Sequence, residues 1–430
     1  MSELLAVPIF DLMFCLSDAA DLASPALGNH HRRVAYVAMC IAQEMGLTPK
    51  EQSELMLAGA LHDLGALSLQ ERVDILRYDF PHPQSHSQRG YELLRHFAPL
   101  STAATVVRYH HQMWEDGAGA EDKGQRVPVG SHIMHVADRA CVLVREKEDV
   151  LTQRDRIVAR IRADSPGRFC PNVVEALARA AVKESFWLDL VSRTLMNVLY
   201  ARNGLSTVNL DTAQLDDLTT VFSHLIDFRS RFTATHSSGV AESARALAEK
   251  IGFSDRECAH MHIAGCLHDL GKLAVPTEIL EKPGPLDETE WAIMHKHTYF
   301  THHVLRSLRG FETIRQWGAY HHEHPDGSGY PFHIQGSDLP LGSRIMAVAD
   351  TFTAVTEDRP YRKGMTADEV LALLDKMAAS QKLDGGIVSM LKRHHAEIDG
   401  RRESAQRAAR AEYEKSMASD EEEVAALSAS

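Results

Sequence analysis

Apolar residues recur at three- and four-residue spacing along most of the chain. Val34, Val37, Ala38, Ile41 and Ala42 line one face of a helix, and so do Val240, Ala244, Leu247, Ala248 and Ile251. Strict alternation of apolar and polar positions, the mark of half-buried strands, is scarce. Pro and Gly cluster at residues 80–83, 116–128, 282–285 and 325–340, where the helices are expected to break. The pattern predicts an all-α protein of amphipathic helices joined by short loops.

The pattern occurs twice. Ala58-Gly59-Ala60-Leu61-His62-Asp63-Leu64-Gly65 parallels residues 264–271, and Asn29-His30 parallels Thr235-His236, both at an offset of 206 positions. His86 answers His297, and Tyr109-His110-His111 answers Tyr320-His321-His322, at an offset of 211. Ile133 to Asp138 answers Ile345 to Asp350 at 212. An offset this constant predicts two copies of one helical domain in tandem.

The second copy is organised around His268-Asp269, a doublet that closes an apolar helical run and is followed by Gly271-Lys272. A neutral imidazole binds one cation, whereas a carboxylate can bridge two. Alone, the doublet suits a capping Asp beside a buried His equally well. Its company is what distinguishes it: His236 upstream, then Lys296-His297, then Tyr320-His321-His322-Glu323-His324-Pro325-Asp326-Gly327-Ser328-Gly329-Tyr330-Pro331, then Asp350 after an apolar run. Hydrolysing a phosphodiester requires a nucleophile at neutral pH, charge stabilisation on the non-bridging oxygens and help for the leaving alkoxide. Two metals about 3.5–4 Å apart supply most of this by acidifying a bridging water and clamping the phosphate.

Over roughly residues 228–395 these motifs resemble the HD-GYP family, the metal-dependent phosphodiesterases of bacterial cyclic dinucleotides within the HD superfamily. The resemblance rests on His-Asp-x-Gly-Lys, on His-His-Glu-x-x-Asp-Gly-x-Gly-Tyr-Pro, and on Arg359-Pro360-Tyr361-Arg362 after the final Asp. It implies that His236, His268 and Asp350 hold one metal, that His297, His321 and His322 hold the other, and that Asp269 bridges both. Imidazole and carboxylate ligands without thiolate suit iron or manganese, with zinc a further candidate, and the resemblance favours iron. Some members hold a third metal through a Glu four residues before the first His; Phe232 stands there, so a dinuclear site is expected. The implied catalytic residues are Asp269 and Lys272, the ammonium stabilising charge on the scissile phosphate. Asp326, Gly327, Gly329 and Tyr330 form a loop fit for close backbone approach and for packing against a base or ribose. Arg359, Arg362 and Lys363 add cations for phosphate or a guanine edge, with Arg359 and Lys363 the expected contacts ahead of Arg362.

The implied reaction is opening of cyclic di-GMP to pGpG, and onward to GMP, by a metal-bridging hydroxide. Cleavage of 3′,3′-cyclic GMP-AMP is the alternative within the enzyme class. A signalling adaptor that binds nucleotide or protein without turnover is the alternative outside it. The first copy keeps His30, His62, Asp63, His86, His110, His111 and Asp138, a possible second, non-catalytic metal site. Ala66 answers Lys272, the neighbourhood of Ala120 answers Tyr330, and no Arg-Pro-Tyr-Arg follows Asp138.

The expected organisation is therefore a degenerate HD domain (residues 1–183), a helical connector (184–222) that could form a dimer seam, a catalytic HD-GYP domain (223–399) and a charged, solvated tail (400–430). A net charge of −13 over 430 residues argues against a nucleic-acid polymer as partner, since such binding neutralises phosphates with Lys and Arg. The expected partners are a cyclic dinucleotide, a second copy of the chain and signalling proteins. Many of the 25 histidines fall in adjacent pairs, which favours metal. The six cysteines include no Cys-x-x-Cys pair, so neither a thiolate zinc site nor a disulfide framework is indicated. No basic-then-apolar leader and no apolar run of about 20 residues are present, and a cytoplasmic location is expected.

Overall fold

The computed structural model describes residues 5–22, 29–66, 69–80, 83–204, 207–227, 235–358 and 363–428. One compact unit, the N-terminal unit, is Pro8–Thr207; the C-terminal unit is Val208–Ser430 together with Met1–Val7. The N-terminal unit holds α1 (Ile9–Asp21), α2 (His30–Glu44), α3 (Pro49–Leu61), α4 (Leu69–Asp74), α5 (Pro83–Leu94), α6 (Ser101–Arg108), α7 (Val129–Val142), α8 (Val150–Ala163), α9 (Pro171–Ala181), α10 (Glu184–Leu190) and α11 (Leu195–Arg202). The C-terminal unit holds α12 (Thr212–Asp227), α13 (His236–Ile251), α14 (Asp255–Leu267), α15 (Thr277–Leu280), α16 (Glu288–Met294), α17 (Lys296–Leu305), α18 (Glu312–Ala319), α19 (Leu341–Thr356), α20 (Ala367–Ala379), α21 (Gly385–Arg393) and α22 (His395–Ser428). The fold is all-α, with two small two-stranded ladders among the described residues: β1 (Leu5–Pro8) with β4 (Thr207–Leu210), and β2 (Glu121–Asp122) with β3 (Gln125–Arg126). Among the described residues no helix is long and apolar enough to cross a membrane.

The sequence repeat is a structural repeat built with the same local devices. Before α3, Thr48 Oγ1 accepts from the Glu51 N–H and the Glu51 carboxylate accepts from the Thr48 N–H; before α14, Ser254 and Glu257 do the same. Each capping box satisfies two amide donors that a helix start would otherwise leave orphaned. Each of these helices then crosses its predecessor at a glycine. A Cβ on Gly59 would sit 2.6 Å from Ala35 Cα, and one on Gly265 would sit 2.4 Å from Ala241 Cα. The Ala-Gly dipeptide before each doublet is thus a close helix crossing, which brings the end of α3 against α2 and the end of α14 against α13.

The segment expected as a connector is divided between the units. Phe186, Trp187, Leu190 and Leu195 are buried in the N-terminal unit, where Phe186 lies against Tyr36 and the Trp187 indole donates to the Ala181 carbonyl at 2.9 Å. Beyond residue 207 the chain belongs to the C-terminal unit. The expected tail begins within α22. Arg401 pairs with Glu242 and Glu249 of α13, and Arg402 is buried, so the start of that charged stretch is packed, not solvated.

Candidate metal centres

In the C-terminal unit the ends of α14 and α18, and the start of α17, aim imidazoles at one point by a shared device. His268 Nδ1 donates to the Gly265 carbonyl at 2.7 Å, His321 Nδ1 to Gly318 at 2.6 Å and His297 Nδ1 to Met294 at 2.6 Å. In each case the acceptor lies three residues back, and for His268 and His321 it is one of the carbonyls a helix end leaves unpaired. A ring anchored through Nδ1–H presents an unprotonated Nε2, the arrangement found in metal-ligating histidines. Gly271 completes the placement: a Cβ there would lie 1.8 Å from the His297 carbonyl oxygen. The Gly of the His-Asp-x-Gly motif therefore lets the α17 backbone come up against the doublet.

Asp269 divides its oxygens. Oδ2 lies 3.2 Å from His268 Nε2 and 2.5 Å from Lys272 Nζ, while Oδ1 lies 3.5 Å from His297 Nε2 and 4.0 Å from His321 Nε2. His236 Nε2 is 3.1 Å from Asp350 Oδ1, and His268 Nε2 is 3.9 Å from the same oxygen. Two donors on one ion with bonds of about 2.0–2.2 Å can be no more than about 4.4 Å apart. These spacings fit two groups, His236-His268-Asp350 and His297-His321-His322, with Asp269 between them. His268 Nε2 is buried with no hydrogen-bond partner, a vacancy costing about 1–3 kcal/mol that a cation would relieve. The residues present suit a divalent metal pair.

Electrostatics separates the donors. Burial pushes His297 down to about 4 and His321 to about 3, and holds His322 well below the usual imidazole range, so all three are neutral at pH 7. Burial alone would raise Asp269, yet the adjoining His268 and Lys272 side chains hold its carboxyl well below the usual range. His236 goes the other way. Burial opposes its charge, but the Glu357 and Asp350 carboxylates raise it to about 9. Its Nδ1 lies 3.0 Å from Glu357 Oε2, so Glu357 orients this ring from behind.

The loop after α18 gives its residues different jobs. Tyr330 stacks on His295, ring centroids 3.8 Å apart, and leans on His322 at 4.9 Å. Gly327 has φ +78°, and a Cβ on Gly329 would meet the His322 carbonyl at 2.4 Å. Asp326 is exposed, and its carboxylate accepts from the Ser328 N–H at 2.8 Å within the loop itself. Lys363 is exposed, while Phe232, Arg359 and Arg362 lie outside the described residues. Two contributors went unread in the sequence. Glu357 is one; Glu323 is the other, fully buried and accepting from the Phe332 and Ile334 N–H groups at 2.7 and 3.0 Å. Glu323 thereby ties down the chain that follows Tyr330.

The N-terminal unit repeats the cluster. His62 Nε2 is 3.0 Å from Asp63 Oδ2, His30 Nε2 is 3.2 Å from Asp138 Oδ1, and His86 and His110 Nε2 lie 3.3 and 3.7 Å from Asp63 Oδ1. His111 Nε2 is 3.2 Å from His86 Nε2. Asp63, His86, His110 and His111 form one group able to hold an ion, and His30, His62 and Asp63 another. Ala66, in the place of Lys272, is fully buried and packs with Ile75.

Helical units that each gather His and Asp around a shared carboxylate define a metal-dependent HD-domain protein, and family models described as HD domain match residues 27–161 and 220–387. The chain belongs to the HD-GYP family of cyclic dinucleotide phosphodiesterases. It is 30% identical to a 3′3′-cGAMP-specific phosphodiesterase 1 of Vibrio cholerae serotype O1, over 89% of this chain and 90% of that one. A 3′3′-cGAMP-specific phosphodiesterase 3 of the same organism is 27% identical over 86% of this chain and 91% of its own. The cyclic di-GMP phosphodiesterase response regulator RpfG of Xanthomonas campestris is 38% identical, over 35% of this chain and 40% of that one. A crystal structure of a cyclic GMP-AMP specific phosphodiesterase of V. cholerae, V-cGAP3, superposes with a TM-score of 0.61 at 23% identity, over 90% of this chain and 98% of that one, a likeness of fold.

Proposed function

We propose that the C-terminal cluster hydrolyses 3′,3′-cyclic GMP-AMP to a linear dinucleotide, with cyclic di-GMP as the second reading. The observation that carries the choice is coverage. The relatives that align across both halves are named for cyclic GMP-AMP, whereas RpfG aligns over about a third of the chain. The second reading keeps support from that partial match, which is the higher in identity.

In this reading His236, His268 and Asp350 would hold one metal and His297, His321 and His322 the other, with Asp269 set between the two groups. A pair of divalent cations held there, iron or manganese by ligand type, would supply an acidified water and Lewis acidity toward the phosphate. Lys272 is salt-bridged to Asp269. When phosphate enters, its ammonium turns to the non-bridging oxygens, where charge grows as the bond to the leaving oxygen breaks. Tyr330, flat against His295, offers a face for a base, and Gly327 and Gly329 let backbone approach it. Asp326 acts by shaping that loop. Arg359, Arg362 and Lys363 are assigned to phosphate or guanine contact, with Arg362 the least direct.

The test is anaerobic incubation of purified, iron- or manganese-loaded protein with each cyclic dinucleotide, products resolved by chromatography. Faster turnover of cyclic GMP-AMP supports the proposal, and faster turnover of cyclic di-GMP replaces it with the second reading. Binding without a linear product would make the protein an adaptor.

A further inference from the structure

The N-terminal cluster contains one imidazole more than its counterpart. His31 follows His30, where Ser237 follows His236. It is 1% exposed, its Nδ1 donates to Asp21 Oδ1 at 2.6 Å, and its Nε2 has no hydrogen-bond partner. That free nitrogen lies 4.0 Å from Asp63 Oδ2, the same oxygen that lies 3.0 Å from His62 Nε2 and 3.7 Å from His30 Nε2. In the C-terminal unit the matching oxygen, Asp269 Oδ2, faces Lys272 Nζ. One half thus sets an ammonium beside the shared carboxylate and the other sets a nitrogen lone pair there. An ammonium has no acceptor to offer a cation, whereas an imidazole anchored through Nδ1–H has Nε2. The carboxylate behind Nδ1 is the orienting partner typical of a metal-bound histidine. A spacing of 4.0 Å to Asp63 Oδ2 is within the reach of two donors on opposite sides of one ion with bonds of about 2.0–2.2 Å, although His31 stands outside the groups whose donors all lie within 4.8 Å of one another, so its ring must close in on the ion.

The surroundings close the same region. Arg139, fully buried, binds Asp138 Oδ2 through Nε and Nη2 at 2.9 and 2.6 Å and donates to the carbonyls of Ile75 and Tyr78, leaving Oδ1 to face His30 Nε2 at 3.2 Å. The Phe80 ring covers His86 and His111 at 5.9 and 5.2 Å, with the Arg139 guanidinium over its face. Structural metal sites are closed by protein ligands, while catalytic ones keep a position open.

We propose that His31 is a metal ligand, and that with it the N-terminal cluster is a closed centre for a divalent transition metal, a structural clamp with no position left for a phosphate. Asp21, the last residue of α1, orients His31, so the centre draws α1, α2 and α3 to one point. This assignment is independent of the substrate taken at the C-terminal site.

The full-length protein is stripped, reloaded with cobalt(II) and titrated with a competing chelator, with metal per chain followed by elemental analysis and the cobalt absorption spectrum. The metal class missing from Asp63→Asn marks the N-terminal centre. In His31→Gln, and again in Asp21→Asn, that class should be held about 10–100-fold more weakly, with a changed cobalt spectrum, while the remaining metal is held as before. An unchanged affinity and spectrum in folded His31→Gln overturns the assignment. Should His31→Gln fail to fold, anomalous diffraction from crystals of the cobalt-loaded natural sequence decides. A scattering peak within bonding distance of His31 Nε2 supports the proposal; no peak in the N-terminal cluster, or one out of reach of His31, overturns it.

Discussion

The two halves carry nearly the same donor set and differ in what surrounds the shared carboxylate. In the C-terminal unit Asp269 faces a lysine, the donors His322 and Asp350 are only partly covered, and an aromatic ring stands beside His322. In the N-terminal unit Asp63 faces a histidine, every donor is buried, and Arg139 with Phe80 covers the cluster. Histidines and aspartates at this spacing thus gather candidate metal donors in both halves. In the function proposed above, the more open edge and the lysine beside the carboxylate are what would suit the C-terminal site to a phosphodiester.

The hardest blow to this contrast is to remove a doublet. His268→Ala with Asp269→Ala should abolish hydrolysis and lower bound metal, since one ion loses an imidazole and both lose their bridge; persisting turnover would place the active site elsewhere. Next, Lys272→Ala should keep its metal but lose about 10²–10³ in rate, or roughly 3–4 kcal/mol of transition-state stabilisation. Metal loss with an intact rate after reconstitution contradicts that role. The converse change, Ala66→Lys, should leave the N-terminal half inactive, which steady-state assays of a doubly altered chain lacking His268 and Asp269 would check. Glu357→Gln removes the carboxylate behind His236 and should weaken metal retention about 10–100-fold, with activity restored by excess metal.

A smaller effect is expected from pH. In metal-free protein His236 is raised to about 9, against about 6.5 unfolded. The folded state then binds its proton more tightly, so the stability it contributes is complete below pH 6.5 and fades as pH rises through 9. Melting of chelator-treated protein between pH 6 and 9.5 should show that loss, and Glu357→Gln should flatten it. The smallest expected effect on rate is that of Asp63→Asn. It should lower the melting temperature yet leave turnover per folded molecule within about twofold, the outcome for a clamp that does not feed the second site; a changed rate at unchanged stability and unchanged C-terminal metal would mean the halves are coupled.

Much of this was legible because it is local. Helical spacing and the paired motifs repeat in the sequence wherever they repeat in space. The residues that gather in each cluster could be picked out because the spacing of the motifs is itself duplicated. What escaped depends on distant pairing or on burial that composition disguises. Glu357 meets His236 across 121 positions, and no spacing rule links them. Arg139 shows as one more cation after Asp138, and arginine is seldom fully buried, so its role as a cover had no signal. His31 stands within a pair in the sequence, but its match to Ser237 gives no sign that Asp21 and Asp63 lie on either side of its ring.

The Ala-rich, charged composition after residue 400 gave no reason to keep that stretch, yet Gln406 Nε2 donates to Glu357 Oε1, and Arg402 Nη1 in turn donates to Gln406 Oε1. The last helix reaches the metal cluster through a relay of three side chains, ending on the ring of His236. A chain cut at Gly400 would keep every donor named here and lose the brace behind the first of them, so trimming the terminus by composition would yield a protein with an intact motif and a loosened grip on its ion.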